Sequence, residues 1–341
     1  MKLRSTIFII ILCPFVLKAQ IGGERSFEFI NLPSNARTAG LGGVNVSHTE
    51  NNVEGFISNP ARLDSVESGA ISISHLGFLA DVRLSNVAYA HQFNKVGTLG
   101  FGVQYMGFGK FNSFDDSGVD LGTFHANEFA LLVGYSHRLG PFALGTNLKF
   151  ASSGIESYRA SALMVDIGGQ FKHPTKEFAV GMVFKNVGFY LTDYTSTGDS
   201  KLPFDVQVGV TFKPEHMPIR FSLTSYNLYE ADLTVFDPQS DVTLVNEKAG
   251  GFDKVFRHFN IGTEIIISRN VHLRTGYNHL IRKELRLDAK SGGAGFSFGF
   301  MVRVKRFELA YTRAIYHVAG GGNHFTIGTN LNSVIKKRSK A

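Results

Sequence analysis

The chain has 341 residues, with 35 Lys and Arg against 28 Asp and Glu, a formal charge of +7, one Cys and no Trp. Setting aside Lys2, Arg4 and Lys18 of the leader described next leaves 32 basic against 28 acidic residues, and four of those cations (Lys336, Lys337, Arg338 and Lys340) crowd the last six positions. The body is near neutral, so a nucleic-acid reading has no support outside that tail, while 37 Gly, 31 Phe and 11 Tyr favour strands and bends over helix bundles.

Residues 1–19 read as a cleavable leader. Lys2 and Arg4 form a positive start, Ile7 to Leu17 an apolar run of 11 residues, and Leu17-Lys18-Ala19 ends on the small residue a signal peptidase needs. That run is shorter than the about 20 apolar residues of a membrane-crossing helix. Cys13 follows Leu12 rather than a small residue, so a lipoprotein site is not expected. Cleavage after Ala19 would leave a chain from Gln20 with no disulfide, thiolate metal site or Cys nucleophile. No later window holds 18 apolar residues, which leaves an exported soluble protein or a barrel that crosses the membrane with strands.

Residues 20–69 lack a two-residue rhythm. FEFINLPSNARTAGLGGVNVS, residues 27–47, is glycine-rich and half apolar. AGLGGVNVS matches neither G-x-x-x-x-G-K-[ST] nor G-x-G-x-x-G and lacks a strand–turn–helix setting, which removes the phosphate-loop reading. Phe27, Phe29, Ile30, Leu32, Leu41, Val44, Val46, Phe56 and Ile57 want burial, which removes a floppy linker. The expectation is a compact plug of short helices and turns. In it Asn59-Pro60-Ala61 makes a tight turn, with Pro60 fixing φ and biasing Asn59 to extended geometry.

From residue 70 the chain alternates with period 2. PFDVQVGVTF puts Phe204, Val206, Val208, Val210 and Phe212 on one face, and Asp205, Gln207, Gly209 and Thr211 on the other. GFSFGFMVRV sets Phe296, Phe298, Phe300, Val302 and Val304 against Ser297, Gly299, Met301 and Arg303. NHFTIGTNL sets Phe325, Ile327 and Leu331 against His324, Thr326, Gly328 and Asn330. Fourteen such segments run near 70–78, 84–93, 97–107, 124–137, 141–150, 160–172, 176–187, 203–213, 217–228, 255–267, 271–280, 293–303, 307–315 and 323–331. Their lengths mostly suit the about 9–11 residues of a tilted membrane strand. The joins alternate too. NKVG, RLGP, HPTK, PEHM, SRN and VKR are tight, whereas 108–123, 151–159, 188–202, 229–254 and 281–292 are long. Short turns on one side and long loops on the other mark an outer-membrane barrel.

A soluble β-sandwich also alternates. Here, though, the apolar face is dense with Phe, Leu, Ile and Val, and the other face is small and polar, like a lumen. Fourteen antiparallel strands are also many for a sandwich. The expected fold is all-β: a 14-stranded antiparallel transmembrane β-barrel over 70–331, an N-terminal plug or hatch over 20–69 and a basic tail over 332–341. The barrel must close, because an open edge in lipid leaves unpaired N–H and C=O groups, and fourteen strands enclose room for a plug. Both barrel ends fall on the short-turn, periplasmic side, and loop 229–254 projects outward. The tail has two readings: a segment near the inner interface, where headgroups of outer-membrane lipid attract each cation by up to about 1 kcal/mol, or a frayed end. Leu331, not an aromatic residue, ends the last strand.

No catalytic constellation is expected. GFSFG, Gly295 to Gly299, fits G-x-S-x-G, but a nucleophile elbow needs a strand-to-helix turn and Ser297 lies mid-strand. The twelve His show no H-E-x-x-H and no close pair at ligand spacing, and His272 and Arg274 share a lumen-facing parity. FDDSGVD, Phe114 to Asp120, lacks the full EF-hand pattern, so its carboxylates read as solvated loop charge rather than a Ca²⁺ site. No cofactor or metal is expected.

ISNPARL, with Asn59, Pro60 and Ala61, resembles the Asn-Pro-Ala turn in the hatch of the long-chain fatty acid transporter superfamily, whose members are fourteen-stranded barrels. GGERSFEFINLPSNARTAGLGGVNVS with NNVEGFISNPARL more closely resembles the PorV/PorQ family of Bacteroidetes outer-membrane proteins, in its PorQ-like branch of the type IX secretion system. The motif positions are Gly22, Gly23, Ser26, Phe27 and Phe29 at the opening, then Pro33, Arg37, Gly40, Gly42 and Gly43. The motif match covers about 50 residues, and the barrel match is one of strand number and length over most of the chain. The resemblance implies a non-enzymatic role in the cargo attachment complex, holding a PorZ-like surface protein, with a sortase and a PorV-like barrel as further partners. Loops are where binding residues concentrate, so Glu230, Asp232, Phe236, Asp237, Asp241, Glu247 and Lys248 of loop 229–254 are the candidate partner contacts. The alternative from the wider superfamily is a transporter of fatty acids or other small hydrophobic molecules, for which a small, polar lumen is unfavourable.

Overall fold

The computed structural model describes residues 25–50, 52–78, 80–194, 200–234, 250–285, 292–317 and 320–335. The expected leader, Gly22, Gly23, most of loop 229–254 and the tail cations lie outside the described residues.

The alternating segments form fourteen strands: β1 (Ala70–Gly77), β2 (Arg83–Phe93), β3 (Gly97–Phe114), β4 (Asp120–Leu139), β5 (Phe142–Ile155), β6 (Tyr158–Lys172), β7 (Phe178–Thr192), β8 (Asp205–Phe212), β9 (Ile219–Ser225), β10 (Phe259–Ser268), β11 (Val271–Asn278), β12 (Phe296–Val304), β13 (Phe307–His317) and β14 (Gly320–Asn330). Each pairs antiparallel with its neighbours in sequence, and β1 pairs with β14 from Ala70↔Asn330 to Gly77↔Asn323, closing the barrel. Closure leaves no edge strand with unpaired backbone.

Polarity is inverted relative to a protein in water. Ile73, Leu144, Leu148, Ile167, Phe298 and Ile327 are half or more exposed on the outside. Gln104, Asn147, Lys149, Asp166, Glu264 and Thr312 are at most 1% exposed inside. Such a surface suits lipid, and its backbone is satisfied within the sheet. Phe142–Phe171, Phe171–Phe178 and Phe212–Phe221 pack with ring centroids 5.2, 6.3 and 5.4 Å apart at the short-turn end, an aromatic girdle of the interfacial kind.

The long-loop end departs from expectation. Segments 108–123 and 151–159 are mostly strand, since β3 and β4 pair out to Phe114↔Asp120 and β5 and β6 to Ile155↔Tyr158. The β3–β4 hairpin outruns the apolar band, where both faces meet water and parity carries no signal; in β5 the inward Ala151 and Ser153 stay buried, and the other face carries Ser152 and Gly154 instead of large apolar residues. Asp115 caps the first tip, accepting from the N–H groups of Ser117 (2.9 Å) and Val119 (2.8 Å). Two other expected loops carry short helices, as do the hatch and the end of the barrel. In chain order these are α1 (Ala36–Gly40), α2 (Gly55–Ser58), α3 (Gly251–Phe256), α4 (His279–Leu285) and α5 (Leu331–Ile335). Phe252 and Phe256 stack at 4.1 Å, the i,i+4 contact of a helix rather than the alternation read for a strand from 255. Leu331 opens α5 instead of ending β14.

Residues 25–50 and 52–69 run through the lumen. At the long-loop end Ser26 N–H donates to Lys201 O (3.1 Å), and at the short-turn end Gly69 N–H donates to Ala90 O (2.8 Å). Between these points lie α1, α2 and three single 3-10 turns.

Phe300→Arg, on the outer face midway along β12, is predicted to destabilise the barrel by about 2–4 kcal/mol. Urea unfolding in lipid vesicles would read this, and a cost near zero would contradict a lipid-facing band.

Candidate functional site: the hatch and its ion cluster

The Asn59 turn is seated on glycine. Asn59 is extended (φ −150°), its Oδ1 accepts from Ala61 N–H (3.0 Å), and its Nδ2 donates to Val46 O (3.0 Å) and to Gly169 O of β6 (3.2 Å). A Cβ on Gly145 or Gly181 would run into the backbone of Pro60 or Val46, and one on Gly168 would meet Asn59 Oδ1. Phe56 likewise lies against Gly100, Gly102 and Gly134 and is fully buried. Absent side chains on β3–β7 thus shape a floor for hatch groups.

The other motif residues line the same body. Ser26 bonds the β7–β8 connection; Phe27 (φ +63°) and Phe29 are buried, with Phe27 5.9 Å from the Tyr190 ring. Gly40 is packed so closely that a Cβ would come within 2.9 Å of Thr312 Oγ1. Gly42 and Gly43 take φ of +92° and +102°, and Pro33 packs beside Gly43. Asn260 Nδ2 gathers this bend by donating to Leu41 O (3.0 Å) and Val44 O (2.5 Å).

Arg37 joins the hatch to the wall. Its Nη2 donates to Glu264 Oε2 of β10 and to Glu50 Oε2, each at 2.9 Å. Arg220 of β9 also donates to Glu264, to Glu50 (2.9 Å) and to Glu177 (2.7 Å). From β11, Arg274 Nε donates to Glu264 Oε1 (2.8 Å) and His272 Nδ1 lies 3.3 Å from that oxygen. Glu264 is 1% exposed and is shared by three guanidinium groups. Burial would raise the carboxyl of Glu50, but Arg37 and Arg220 hold it down at about 2. Burial, aided by Arg37, pushes His48 well below the ordinary histidine range, so it stays neutral 3.9 Å from Glu264. His48, Glu50 and Glu264 have the donor types of a metal site. Their carboxylates are instead occupied by Arg37 and Arg220, which repel a cation.

Glu54 makes a second contact with different chemistry. It accepts from the Ser72 hydroxyl and from Ser74 Oγ (3.0 Å), both on β1. No ion pair holds it among the described residues. Burial pushes its carboxyl up to about 7, with the two hydroxyls pulling the other way.

At the long-loop end Arg25 donates to Glu230 Oε2 (2.7 Å), so this candidate partner residue is engaged within the chain. Asp232 pairs with Lys254 (2.6 Å); Phe236, Asp237, Asp241, Glu247 and Lys248 lie outside the described residues. Below this mouth an apolar cavity of about 170 Å³ separates the hatch from α4, lined by Leu32, Pro33, Val44, Leu280, Ile281 and Ile315. Ser297, the second residue of β12, lines it from the inner face of that strand and is followed by strand rather than by a helix.

Sequence reasoning found Arg37, His272 and Arg274 but not their convergence, and it passed over Glu264, Arg220, Glu50 and Glu54. Glu264 was detectable as a lone acid at inward parity in NIGTEIII. Its partners depend on register across β9, β10 and β11, where Glu264 lies opposite both Arg220 and Arg274.

No protein-family model and no curated protein matches the chain. Among solved structures, the TodX monoaromatic hydrocarbon channel deltaS2 mutant aligns with 87% of this chain and 97% of its own, at 12% identity and a TM-score of 0.49. A Pseudomonas aeruginosa FadL homologue aligns over 87% and 98%, at 11% identity and 0.47. The Acinetobacter baumannii outer membrane protein Omp33 aligns over 76% and 96%, at 5% identity and 0.37. The fourteen-stranded closure of this chain stands on its own strand pairing.

Two outcomes test the seam. Glu264→Gln leaves three buried guanidinium groups short of charge and is predicted to cost about 3–5 kcal/mol, read as a lower thermal midpoint with faster proteolysis of the hatch. Glu54 has a folded value near 7 against 4.5. Below 4.5 both states are protonated, and between these values only the folded state keeps the proton. Its stabilising contribution is therefore full below about 4.5 and lost as pH rises through 7. Glu54→Gln should flatten that part of the stability profile between pH 5 and 8. An unchanged slope in the variant would show that Glu54 titrates normally.

Proposed function

We propose that the chain is a non-enzymatic outer-membrane barrel that holds a surface partner for the attachment complex of the type IX secretion system, in the manner of the PorV/PorQ family. The observation that carries this reading is a lumen crossed from mouth to mouth by a hatch bonded to strands around the wall: Asn59 to β6, Glu54 to β1, Ala36 to β14 and Arg37 to β10. A plugged barrel acts as a rigid mount, and its working surface is then its loops. The β9–β10 connection supplies a candidate surface at α3, where Phe252 is 75% and Val255 55% exposed. The partner in this reading is a PorZ-like surface protein, with a sortase and a PorV-like barrel in the same assembly.

Replacing residues 229–254 with a short turn is predicted to leave a folded barrel that no longer co-purifies with the surface protein after mild detergent extraction. Undiminished co-purification would sink this reading.

One observation favours a second reading, transport of a small hydrophobic molecule. The 170 Å³ cavity beside Gly42–Val44 is about the size that takes one benzene-sized guest. Mass spectrometry of gently extracted protein separates the two. A bound apolar molecule, with an uptake defect on deletion, would favour transport.

A further inference from the structure

A second cavity, about 420 Å³, opens at the short-turn end, opposite to the loops considered above. Its wall is built from strand ends: Glu177 before β7, Lys213 after β8, Arg220 on β9, Arg269 between β10 and β11, and Arg303 on β12, with Glu50 of the hatch closing one side. The volume is within the range of small-molecule sites, roughly 300–1,000 Å³.

Its charge is unbalanced. Lys213, Arg220, Arg269 and Arg303 face Glu50 and Glu177, four cations against two anions, or +2. Pairing with groups behind the wall does not remove the excess. Adding Arg37 and Arg274 with Glu264 and Glu308 makes six against four, again +2. Arg269 makes no ion pair or side-chain hydrogen bond among the described residues and is exposed. Behind the wall, outside the cavity lining and packed against Gly40, Arg274 is 3% exposed and both its terminal nitrogens lack a partner. Low-dielectric walls around like charges focus the field at such a mouth, and a buried cation without its full complement of acceptors is costly.

We propose that this cavity binds a phosphate group entering from the short-turn end, held by Arg269, Lys213 and Arg303 above a floor of Arg220 and His272. A phosphate monoester carries about −1.5 to −2 at neutral pH, which matches the +2 of the wall, whereas a single carboxylate does not. Guanidinium forks fit its oxygens in pairs. Two sources present this chemistry at that end: a soluble phosphate compound, or a lipid headgroup of the inner leaflet.

The test is calorimetric titration of inorganic phosphate into the full chain in a maltoside detergent at fixed ionic strength, repeated in nanodiscs with and without phosphatidic acid. Saturable binding is expected, weakened by about tenfold or more in Lys213→Gln/Arg269→Gln through loss of charge-assisted hydrogen bonds. Both residues lie in turns, so an unchanged thermal midpoint serves as the folding control. Binding of free phosphate that phosphatidic acid does not suppress identifies a soluble ligand. Suppression by phosphatidic acid, or retention of that lipid dependent on Arg269, identifies a headgroup. Absent binding in every arm, or equal binding by the double variant, overturns the proposal.

Discussion

The buried carboxylate of Glu264 is the interaction on which the interior depends. A barrel in lipid turns its apolar residues outward and leaves polar ones to fill the lumen, where each must find a partner or carry the cost of desolvation. Glu264 meets that demand for three cations at once: Arg220 and Arg274 from the strands on either side, and Arg37 from the hatch. Two of these are wall to wall and one is wall to plug, so wall register and hatch position are set by the same oxygen atoms. Removing the carboxylate would unbalance both.

The opposite wall works by omission. Over β3 to β7, Gly100, Gly102, Gly134, Gly145, Gly168 and Gly181 withdraw their side chains where Phe56 and the Asn59 turn press against the sheet. Strand glycines weaken a sheet in isolation, and here they let the plug backbone approach the wall closely enough for Asn59 to bond Gly169 O. Charge on one side and close contact on the other hold the hatch in place, with no disulfide to pin it. That is why a plugged, rigid mount is the functional reading favoured, with the apolar cavity beside α4 and the cationic cavity at the short-turn end as the spaces the hatch leaves open.

The strands were legible because lipid and lumen differ sharply, so parity along PFDVQVGVTF or GFSFGFMVRV reports which face is which. Legibility ends where that contrast ends. The outer halves of β3 and β4 stand in water on both faces, so 110–114 and 120–123 read as loop although they pair, with bulges, from Lys110↔His125 to Phe114↔Asp120. In α3 and α4 the period changes to that of a helix over six or seven residues, too short to outweigh the neighbouring strand pattern. The hatch was legible as apolar residues without a period, and Asn59-Pro60-Ala61 as a turn. Its docking was not, because the Arg37–Glu264 pair spans 227 positions and is encoded by the closure of the whole barrel rather than by any local spacing.

Conductance of the purified full chain in a planar lipid bilayer tests most directly whether the hatch is locked in place. A silent wild-type barrel is expected, with discrete conductance steps in Glu264→Gln once the wall loses its hold on Arg37. Steady open-pore current through the wild-type protein would contradict a sealed lumen and, with it, the reading of this barrel as a mount.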